Sequence, residues 1–329
     1  MQFSVIIPVF NRPAELDELL DSLTRQTDRQ FEVIIVEDGS EQKSDAIVEK
    51  YKDRLPIIYV EKPNSGPGLS RNAGARKARY DYLIFFDSDC IIPDDYIQIV
   101  NDFLTKQYYD AYGGPDRALP TFTTVQKAIN YAMTSFFTTG GIRGSEKSME
   151  KFHPRSFNLG VSKEAFNAVG GFRDMRFGED IDFSLRLIEN GFSTTLIPEA
   201  YVYHKRRTNF RKFFKQVYNS GIARINLYLL HPQSLKPVHL LPAVFVVGII
   251  VLLALSVFYP IFLAIPLAYC LLIFMDSTIK NRSAKVGLYS VVASWIQIVG
   301  YGTGFLSAFW NRLILKREAA NAFEKNFYD

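Results

Sequence analysis

The sequence predicts an α/β fold with a doubly wound, mostly parallel, Rossmann-like sheet, followed by a C-terminal region of transmembrane helices. Two observations predict this fold. Short apolar runs alternate with charged, amphipathic segments over residues 1–230 of the 329-residue chain, which is typical of parallel strands connected by helices. Long stretches without a charged residue begin after Leu240 and are long enough to cross a bilayer. We therefore divide the chain into a sheet domain (1–230) and a membrane region (231–329).

Strand-like and helix-like segments alternate regularly in the first 90 residues. The strand-like runs are apolar throughout, as in a parallel sheet that is covered by helices on both faces. Between them, apolar residues recur at helical spacing or polar residues form a shorter helix-like run. The predicted strands are 5–10, 31–36, 56–60 and 83–86, and the predicted helices are 16–23, 41–51 and 69–79.

Polar residues follow the predicted strands at the point where each strand ends. Successive right-handed crossovers bring the carboxyl ends of parallel strands to one edge of the sheet, where ligands bind. There Asp38 offers an acceptor to a nucleobase or ribose, Gly66 lets the backbone approach a ligand, and Arg71 offers a donor to a phosphate. Alone, Asp38-Gly39 is usually a turn. The ligand-binding residues predicted at this edge are Pro8, Val9, Asn11, Glu37, Asp38, Gly66, Arg71, Asp87 and Ser88.

Two carboxylates, Asp87 and Asp89, follow the fourth strand with one residue between them. At this spacing they repel each other unless a cation shares them. Carboxylate oxygens are ligands that Mg²⁺ and Mn²⁺ prefer, and either ion would in turn hold a diphosphate. An acidic turn before a helix that opens at Pro93 is the alternative interpretation. The buried-type strand before the two acids favours the metal site.

Other features of the sequence exclude common classes of protein. No Gly-x-Gly-x-x-Gly follows the first strand, which disfavours a dinucleotide site, and no Gly-Lys-Ser/Thr loop is present, which excludes Walker-type nucleoside triphosphatases. The two cysteines give no disulfide framework, so we expect a reducing compartment. Residues 1–4 lead directly into a strand, so we expect no signal peptide. We also expect no nucleic-acid partner.

Charged residues recur in two places further along the chain. Glu179, Asp180 and Asp182 stand at the opening of a predicted helix, where acids commonly complement the helix dipole. A short predicted strand ends in His204, and a lone histidine is more often structural than a ligand. The basic run 206–215 follows it. Such a run is usually a solvated helix face, but upstream of apolar segments it also suits anionic lipid head groups.

Four motifs in order resemble family-2 glycosyltransferases of the GT-A fold over residues 1–221. They are Ser4-Val5-Ile6-Ile7-Pro8-Val9-Phe10-Asn11, the Glu37-Asp38-Gly39-Ser40 end of the second strand, Gly66-x-x-x-Ser70-Arg71-Asn72-x-Gly74, and Asp87-x-Asp89. The resemblance implies a catalytic domain with a donor half (1–115) and an acceptor half (116–230). It further implies a nucleotide-sugar donor, Mg²⁺ or Mn²⁺ bound through the Asp-x-Asp, and inversion at the anomeric carbon.

The resemblance also assigns roles in the acceptor half, where Gly178-Glu179-Asp180 matches a family motif. If the roles of this family motif apply to the matching residues here, Asp180 is the general base, and Glu179 orients it or hydrogen-bonds the acceptor. Asp182 is expected to cap the helix or form a salt bridge. Family members often carry a histidine where His204 stands, so His204 is expected as the third metal ligand beside Asp87 and Asp89. Residues 216–220 depart from the Gln-x-x-Arg-Trp motif of processive members, which favours transfer of a single sugar.

The C-terminal region is predicted to contain two to three transmembrane helices, at about 241–258, 261–275 and 286–310. The first two form a hairpin that turns at Tyr259-Pro260, and basic residues on both sides of it favour the cytoplasm. Glycines in the third segment permit close helix contact, namely Gly287, Gly300, Gly302 and Gly304. We therefore expect a multi-pass protein of the inner cell membrane with a cytoplasmic catalytic domain. Buried helices of a soluble domain are the alternative.

Together these features predict a membrane-anchored, metal-dependent, inverting glycosyltransferase that is not processive. Its expected partners are a nucleotide-diphosphate sugar, the membrane, and a lipid-linked saccharide or polyprenyl phosphate acceptor for cell-surface polysaccharide or glycoconjugate synthesis. One alternative is a catalytically silent membrane scaffold for polysaccharide assembly. The other is a nucleotidyltransferase, which would need a basic, glycine-rich loop where Pro8-Val9-Phe10-Asn11 stands.

Overall fold

The computed structural model describes residues 1–119, 121–140 and 153–317, and the chain divides into two compact units. The first unit comprises Met1–Leu119 and Met149–Lys205, and the second comprises Pro120–Ser148 and Arg206–Asp329. This division differs from the boundary predicted at residue 230. Residues 206–230 group with the C-terminal helices because they belong to a long helix that packs along the last of them.

Strands and helices alternate along the first part of the chain, and over residues 206–317 the structure shows helices alone. The strands are β1 (Phe3–Val9), β2 (Phe31–Asp38), β3 (Ile57–Lys62), β4 (Tyr82–Phe86), β5 (Cys90–Ile91), β6 (Ala111–Gly113), β7 (Asp116–Arg117), β8 (Asn158–Ser162), β9 (Thr194–Leu196) and β10 (Val202–His204). The helices are α1 (Pro13–Thr24), α2 (Asp45–Tyr51), α3 (Pro67–Ala75), α4 (Tyr96–Lys106), α5 (Thr124–Thr134), α6 (Phe136–Thr139), α7 (Lys163–Ala168), α8 (Glu179–Glu189), α9 (Phe210–Leu230), α10 (Leu241–Ser256), α11 (Ala264–Asn281) and α12 (Ala284–Ala308).

The first unit is built on a seven-stranded sheet in the order β3-β2-β1-β4-β8-β6-β9. Strands β1 to β4 are parallel, as predicted, and α1, α2 and α3 connect them. Strand β8 runs antiparallel to both β4 and β6, so the sheet is mixed beyond β4. A second sheet of three short strands has the order β5-β10-β7. Asp87, Ser88 and Asp89 lie between β4 and β5, at the junction of the two sheets.

Apolar side chains cover both faces of the seven-stranded sheet, which explains why its central strands show no polar alternation. Consecutive residues of β1 point to opposite faces. Val5 and Ile7 pack in the same core cluster as Leu16 of α1, whereas Ile6 packs in the other cluster with Phe183 of α8. All five side chains are fully buried. The two cores hold the carboxyl ends of β1, β2 and β4 in a fixed register.

Glu32 on β2 is a fully buried acid within this sheet. Its carboxylate accepts hydrogen bonds of 2.7 Å from the hydroxyl of Ser4 and from the backbone and guanidinium N–H groups of Arg79. Burial opposes the charge, but these donors outweigh burial and lower the pKa of Glu32. The ionised form therefore stabilises the fold above the unfolded pKa, and this contribution is lost as the pH falls through the folded pKa.

Glu32→Gln is expected to lower the free energy of unfolding by about 1–3 kcal/mol at pH 7, because buried donors lose their charged acceptor. The difference from the unchanged protein should shrink as the pH falls below about 4.3, the ordinary pKa of a glutamate. Denaturant unfolding of the full chain in detergent at both pH values measures it, with the exposed Glu41→Gln as control. A stability difference that is the same at both pH values would contradict the role of the ionised carboxylate.

The second unit contains α5, α6 and α9 to α12. Helices α5, α9, α10 and α11 all contact α12, which is therefore the central helix of this unit. The break between α10 and α11 confirms the predicted turn: Pro260 begins a short 3₁₀ segment, Pro260–Leu263, directly before α11.

Glycines let α12 approach its neighbours closely. A methyl group on Gly304 would lie 2.1 Å from a backbone oxygen of α9, and one on Gly302 would lie 2.4 Å from a backbone oxygen of α10. A methyl group on Gly300 would lie 2.5 Å from a valine of α9, and one on Gly287 would lie 2.0 Å from a threonine of α11. The close helix contacts predicted at these four glycines are confirmed.

Two helices in the described part of the chain are long and apolar enough to cross a membrane, judged by length and composition. They are Pro260–Asn281, with a mean hydropathy of 1.9, and Ala284–Ile314, with 1.3. They overlap the second and third predicted spans, whereas the first forms the shorter apolar helix Leu241–Ser256. The basic run before them is not a uniformly solvated face, because Arg206 and Lys215 are buried.

Candidate active site

The carboxyl ends of β1, β2 and β4 lie side by side at one edge of the sheet. The parallel register places Pro8 beside Val36 and Val9 beside Glu37, and β4 pairs with β1 on its other side. The predicted ligand-binding residues therefore lie at or next to the expected edge. Several of their side chains, however, hold loops of the protein itself.

Asp38, at the end of β2, holds the loop that leads into α3. Its carboxylate accepts hydrogen bonds from the backbone N–H groups of Ser65 (2.9 Å) and Gly66 (2.8 Å) and pairs with Lys62. Gly66 has a φ of +89°, a left-handed conformation that favours glycine, and directly precedes α3. Asp38 was predicted to meet a nucleobase or ribose. Here it is buried and shapes the loop, so a ligand would meet the loop backbone first.

Glu37 and Asn11 also support loops at this edge. Glu37 is buried and accepts a hydrogen bond of 3.0 Å from the hydroxyl of Tyr59 and further bonds from the loop after β2. Asn11 joins the same loop, because its side-chain oxygen accepts hydrogen bonds of 2.8 and 3.0 Å from two consecutive backbone N–H groups. Val9 and Ser88 are buried, so a ligand would contact them through their backbone atoms.

Arg71, on α3, joins the end of β4 to the start of α8. Its guanidinium donates to Asp87 at 2.6 Å and to Glu179 at 3.1 Å, and the side chain is 2% exposed. Burial opposes the charge of Arg71, but the two carboxylates outweigh it and raise its pKa. The ring of Phe172 lies 5.4 Å from the guanidinium carbon. The arginine predicted to reach a phosphate is therefore a buried cation that bridges two acidic segments.

Glu179 and Asp180 open α8 but stand in different environments. The pKa of Glu179 is raised to about 7 by burial and by the neighbouring Asp180 carboxylate, against the opposing effect of Arg71. The side chain of Asp180 is 19% exposed, and its carboxylate lies 3.4 Å from the guanidinium of Arg155. Of these two acids, Asp180 is the more open to a substrate.

Asp182, in the first turn of α8, has a structural task. Its fully buried carboxylate pairs with Arg173 at 2.8 Å and with Arg186 at 2.7 Å. Arg186 also donates to the backbone oxygen of Gly171 at 2.8 Å, which ties the turn before α8 to the helix. The predicted salt bridge of Asp182 is confirmed.

Asp89 belongs to a different cluster from Asp87. One carboxylate oxygen lies 2.6 Å from the guanidinium of Arg12, and the other lies 3.0 Å from Nε2 of His204. Ligand atoms of Asp89, Cys90 and His204 all lie within 4.8 Å of one another. The two acids were expected to repel each other unless a cation shared them. In the structure each acid pairs with its own arginine, Asp87 with Arg71 and Asp89 with Arg12.

The donor atoms of this cluster fit a divalent cation. Carboxylate oxygen and imidazole nitrogen are common ligands of such ions. Burial lowers the pKa of His204, but the charge of Asp89 outweighs it and raises the pKa. Burial raises the pKa of the Cys90 thiol, and Asp89 and Asp87 raise it further. The carboxylates thus create a negative potential at the cluster, which favours a cation.

Sequence reasoning missed Arg12 and Arg155, and it placed Cys90 at the site without assigning it a role. Arg12 follows Asn11 in the turn after β1, and Cys90 directly follows Asp89, so their positions in the chain were usable signals. Arg155 lies 25 residues before Asp180, and no local pattern connects the two.

Comparison with known proteins identifies the family. The profile of Glycosyl transferase family 2 matches residues 4–174, which is more than half of the chain. An uncharacterized glycosyltransferase of Haemophilus influenzae is 31% identical over 217 residues, covering 63% of this chain and 70% of the relative. Chondroitin synthase of Pasteurella multocida is 30% identical over 238 residues, covering 61% of this chain and 24% of that protein. The chain thus spans about a quarter of the length of the synthase.

Solved structures have the same fold. The crystal structure of residues 1–349 of Staphylococcus aureus TarS in complex with UDP-GlcNAc is 22% identical, with a TM-score of 0.51 over 69% of this chain and 67% of that chain. Mannosyltransferase PcManGT from Pyrobaculum calidifontis in complex with GDP-Man and Mn²⁺ is 15% identical, with a TM-score of 0.63 over 91% of this chain and 87% of that chain. The predicted GT-A-like α/β fold is confirmed. The chain belongs to glycosyl transferase family 2 and is a glycosyltransferase.

Proposed function

We propose that the protein transfers a single sugar, with inversion at the anomeric carbon, from a nucleotide-diphosphate sugar to a lipid-linked saccharide or polyprenyl phosphate. The transfer would serve cell-surface polysaccharide or glycoconjugate synthesis. The observation that carries this proposal is the bridge through Arg71. It ties Asp87, at the edge where a donor would bind, to Glu179, directly beside the more open carboxylate of Asp180. Donor-side and acceptor-side acids are thereby held in one unit.

The donor class is supported by the neighbours in fold and by the loops at the sheet edge. TarS was crystallised with UDP-GlcNAc and PcManGT with GDP-Man. In this chain, Asp38 holds the loop at Gly66, which has no side chain of its own and so lets a nucleotide approach its backbone, beside the guanidinium of Arg176. Because the two neighbours carry different bases, the proposal names the nucleotide-diphosphate class and no single base.

Asp89 and His204 would hold a divalent cation, Mg²⁺ or Mn²⁺, and Asp87 would offer the oxygen that Arg71 does not bind. When bound, such an ion supplies positive charge that stabilises the diphosphate as it leaves. Arg12 now occupies one oxygen of Asp89 and would have to share this carboxylate with the ion.

Asp180 would act as the general base. With a lipid-linked saccharide as acceptor, it would accept the proton of the acceptor hydroxyl while that oxygen bonds to the anomeric carbon and the bond from this carbon to the nucleotide diphosphate breaks. Glu179 is less suited to this step, because it is buried against Arg71. Arg155, at 3.4 Å, would orient the Asp180 carboxylate.

The membrane part of the proposal depends on the second unit. Two of its helices have the length and composition to cross a bilayer, and many large apolar side chains on α10 and α11 are exposed. These helices would anchor a multi-pass protein in the cell membrane with the catalytic unit in the cytoplasm. No observation favours a catalytically silent scaffold, because every expected acid is present. Family membership argues against a nucleotidyltransferase.

Thermal unfolding with nucleotide sugars tests the donor and the metal together. The full chain in detergent would be heated with UDP-, GDP- and dTDP-sugars, each with Mn²⁺ or with a chelator, and with nucleoside monophosphates as controls. At one hundred times its Kd, a donor stabilises the folded state by about 2.7 kcal/mol. We expect this stabilisation for one nucleotide sugar and only with the metal. If no nucleotide sugar stabilises the protein in Mn²⁺, the proposed donor class is wrong.

A further inference from the structure

The pair of strands β5 and β10 brings three kinds of metal-binding side chain together. We propose that Asp89, Cys90 and His204 form a site for a thiophilic divalent cation, Zn²⁺ or Co²⁺, with the sulfur of Cys90 as a ligand. The inference rests on the proposed function in one respect, because Asp89 and His204 are also the proposed ligands of the donor metal. The inference goes beyond the proposed function because it adds a sulfur ligand and a different class of ion.

The geometry of the strand pair supports this site. Cys90 and His204 are directly opposite each other in the antiparallel register of β5 and β10. Residues in such positions point to the same face of a sheet, with Cβ atoms about 4.5–5.5 Å apart. Asp89 directly precedes Cys90 and already lies 3.0 Å from Nε2 of His204. Because all three ligand atoms lie within 4.8 Å of one another, small side-chain rotations bring them around one ion.

Neighbouring groups hold the cluster in place. The ring of Phe157 stacks on the imidazole of His204 at 5.1 Å, and the Phe157 backbone oxygen lies 3.6 Å from the sulfur of Cys90. Nδ1 of His204 is buried and has no hydrogen-bond partner among the residues that the structure describes. The ion would bind Nε2, the ring nitrogen that faces Asp89. Arg12 would keep its contact with one oxygen of Asp89 and leave the other to the ion.

The chemistry of the three ligands selects the ion. One sulfur, one nitrogen and one oxygen match the ligands of Zn²⁺, and Co²⁺ accepts the same set. Mg²⁺ takes oxygen ligands and gains little from a thiolate. On binding, the Cys90 thiol would release its proton to solvent, because only the thiolate binds the ion. Zn²⁺ is therefore expected to occupy this position without a nucleotide sugar and to compete there with the donor metal.

Cobalt spectroscopy tests the site without any measurement of transfer. The chain contains two cysteines, Cys90 and Cys270, so the variant Cys270→Ser has Cys90 as its single thiol. Metal-free protein in detergent would be titrated with CoCl₂ without a nucleotide sugar. A thiolate bound to Co²⁺ gives a near-ultraviolet charge-transfer band. We expect this band at one Co²⁺ per chain in the unchanged protein and in Cys270→Ser, and its loss when ZnCl₂ is added.

Two further variants complete the test. Cys90→Ser should abolish the band, and His204→Gln should weaken Co²⁺ binding by at least about 100-fold, because losing a direct ligand costs more than losing an outer one. No band in Cys270→Ser, or a band that depends on Cys270, would overturn the proposal, even if Cys90→Ser did not fold. The outcome is separate from that of the proposed function. If the band is absent but a nucleotide sugar stabilises the protein in an Mn²⁺-dependent way, the sulfur site alone is refuted. If the band is present but no nucleotide sugar stabilises the protein in an Mn²⁺-dependent way, the proposed donor metal alone is refuted.

Discussion

Asp180→Asn is expected to lower kcat by about two to four orders of magnitude, the usual contribution of a positioned base. The amide keeps the size of the side chain and can still contact Arg155, which lies 3.4 Å from the carboxylate. It cannot accept the proton of the acceptor hydroxyl. Donor affinity should stay near that of the unchanged protein, because the base serves the acceptor. Steady-state transfer rates and calorimetric titration with the cognate donor measure the two effects separately.

A matched control lies six residues earlier. Asp174 is exposed in the same segment, and Asp174→Asn makes the same chemical change. This variant should keep kcat within about 2-fold, since surface substitutions are usually close to neutral. Normal turnover in Asp180→Asn would exclude Asp180 as the base. Glu179→Gln would then be tested, although Glu179 is buried against Arg71.

Asp89→Asn is expected to weaken metal-dependent donor binding by at least about 100-fold, because losing a direct ligand costs more than losing an outer one. The fold should remain, since the amide oxygen can still accept a hydrogen bond from Arg12. Calorimetric titration of the donor with and without Mn²⁺ measures the effect.

The control for Asp89→Asn is Asp94→Asn. Asp94 is an exposed acid five residues later that pairs with Arg25 at the surface. The Asp94→Asn variant should bind the donor in Mn²⁺ as tightly as the unchanged protein. If Asp89→Asn binds donor as tightly as the unchanged protein in Mn²⁺, Asp89 is not a metal ligand.

The parallel half of the sheet was predictable because its signals are local. Each strand from β1 to β4 is a short apolar run that ends in polar residues, and the right-handed crossover rule places those ends together. The remaining order was not predictable. Strand β8 enters between β4 and β6 although β6 precedes it in the chain by more than 40 residues. No local pattern in these short strands specifies such partners.

At the candidate site, the residue types were predictable and their partners were not. Arg71 was recognised as a cation at the sheet edge, but its contact with Glu179 joins residues 108 positions apart. Asp38 was recognised as an acceptor, yet its donors are the backbone of the loop after β3, which only the fold brings near. Hydrogen-bond partners of buried polar groups are set by tertiary contacts, which sequence pattern does not encode directly.

The helical unit shows the same limit. The apolar stretches and the glycines of α12 were evident, because both are properties of single segments. The grouping of α5 and α9 with these helices was missed, because their charged and aromatic residues resemble a soluble helix. Only their packing against α12 reveals that they belong to this unit.

The most direct measurement is the anomeric configuration of the product. The full chain would be incubated with the stabilising nucleotide sugar in labelled form, Mn²⁺ and a membrane lipid extract, and the labelled lipid product would be analysed by NMR. Inverting transfer predicts a product in the configuration opposite to that of the donor, and loss of product with a chelator or in Asp180→Asn. Transfer of a single sugar predicts one labelled sugar per acceptor. A product that retains the donor configuration, or labelled sugar released only to water, would contradict inverting transfer to a lipid-linked acceptor.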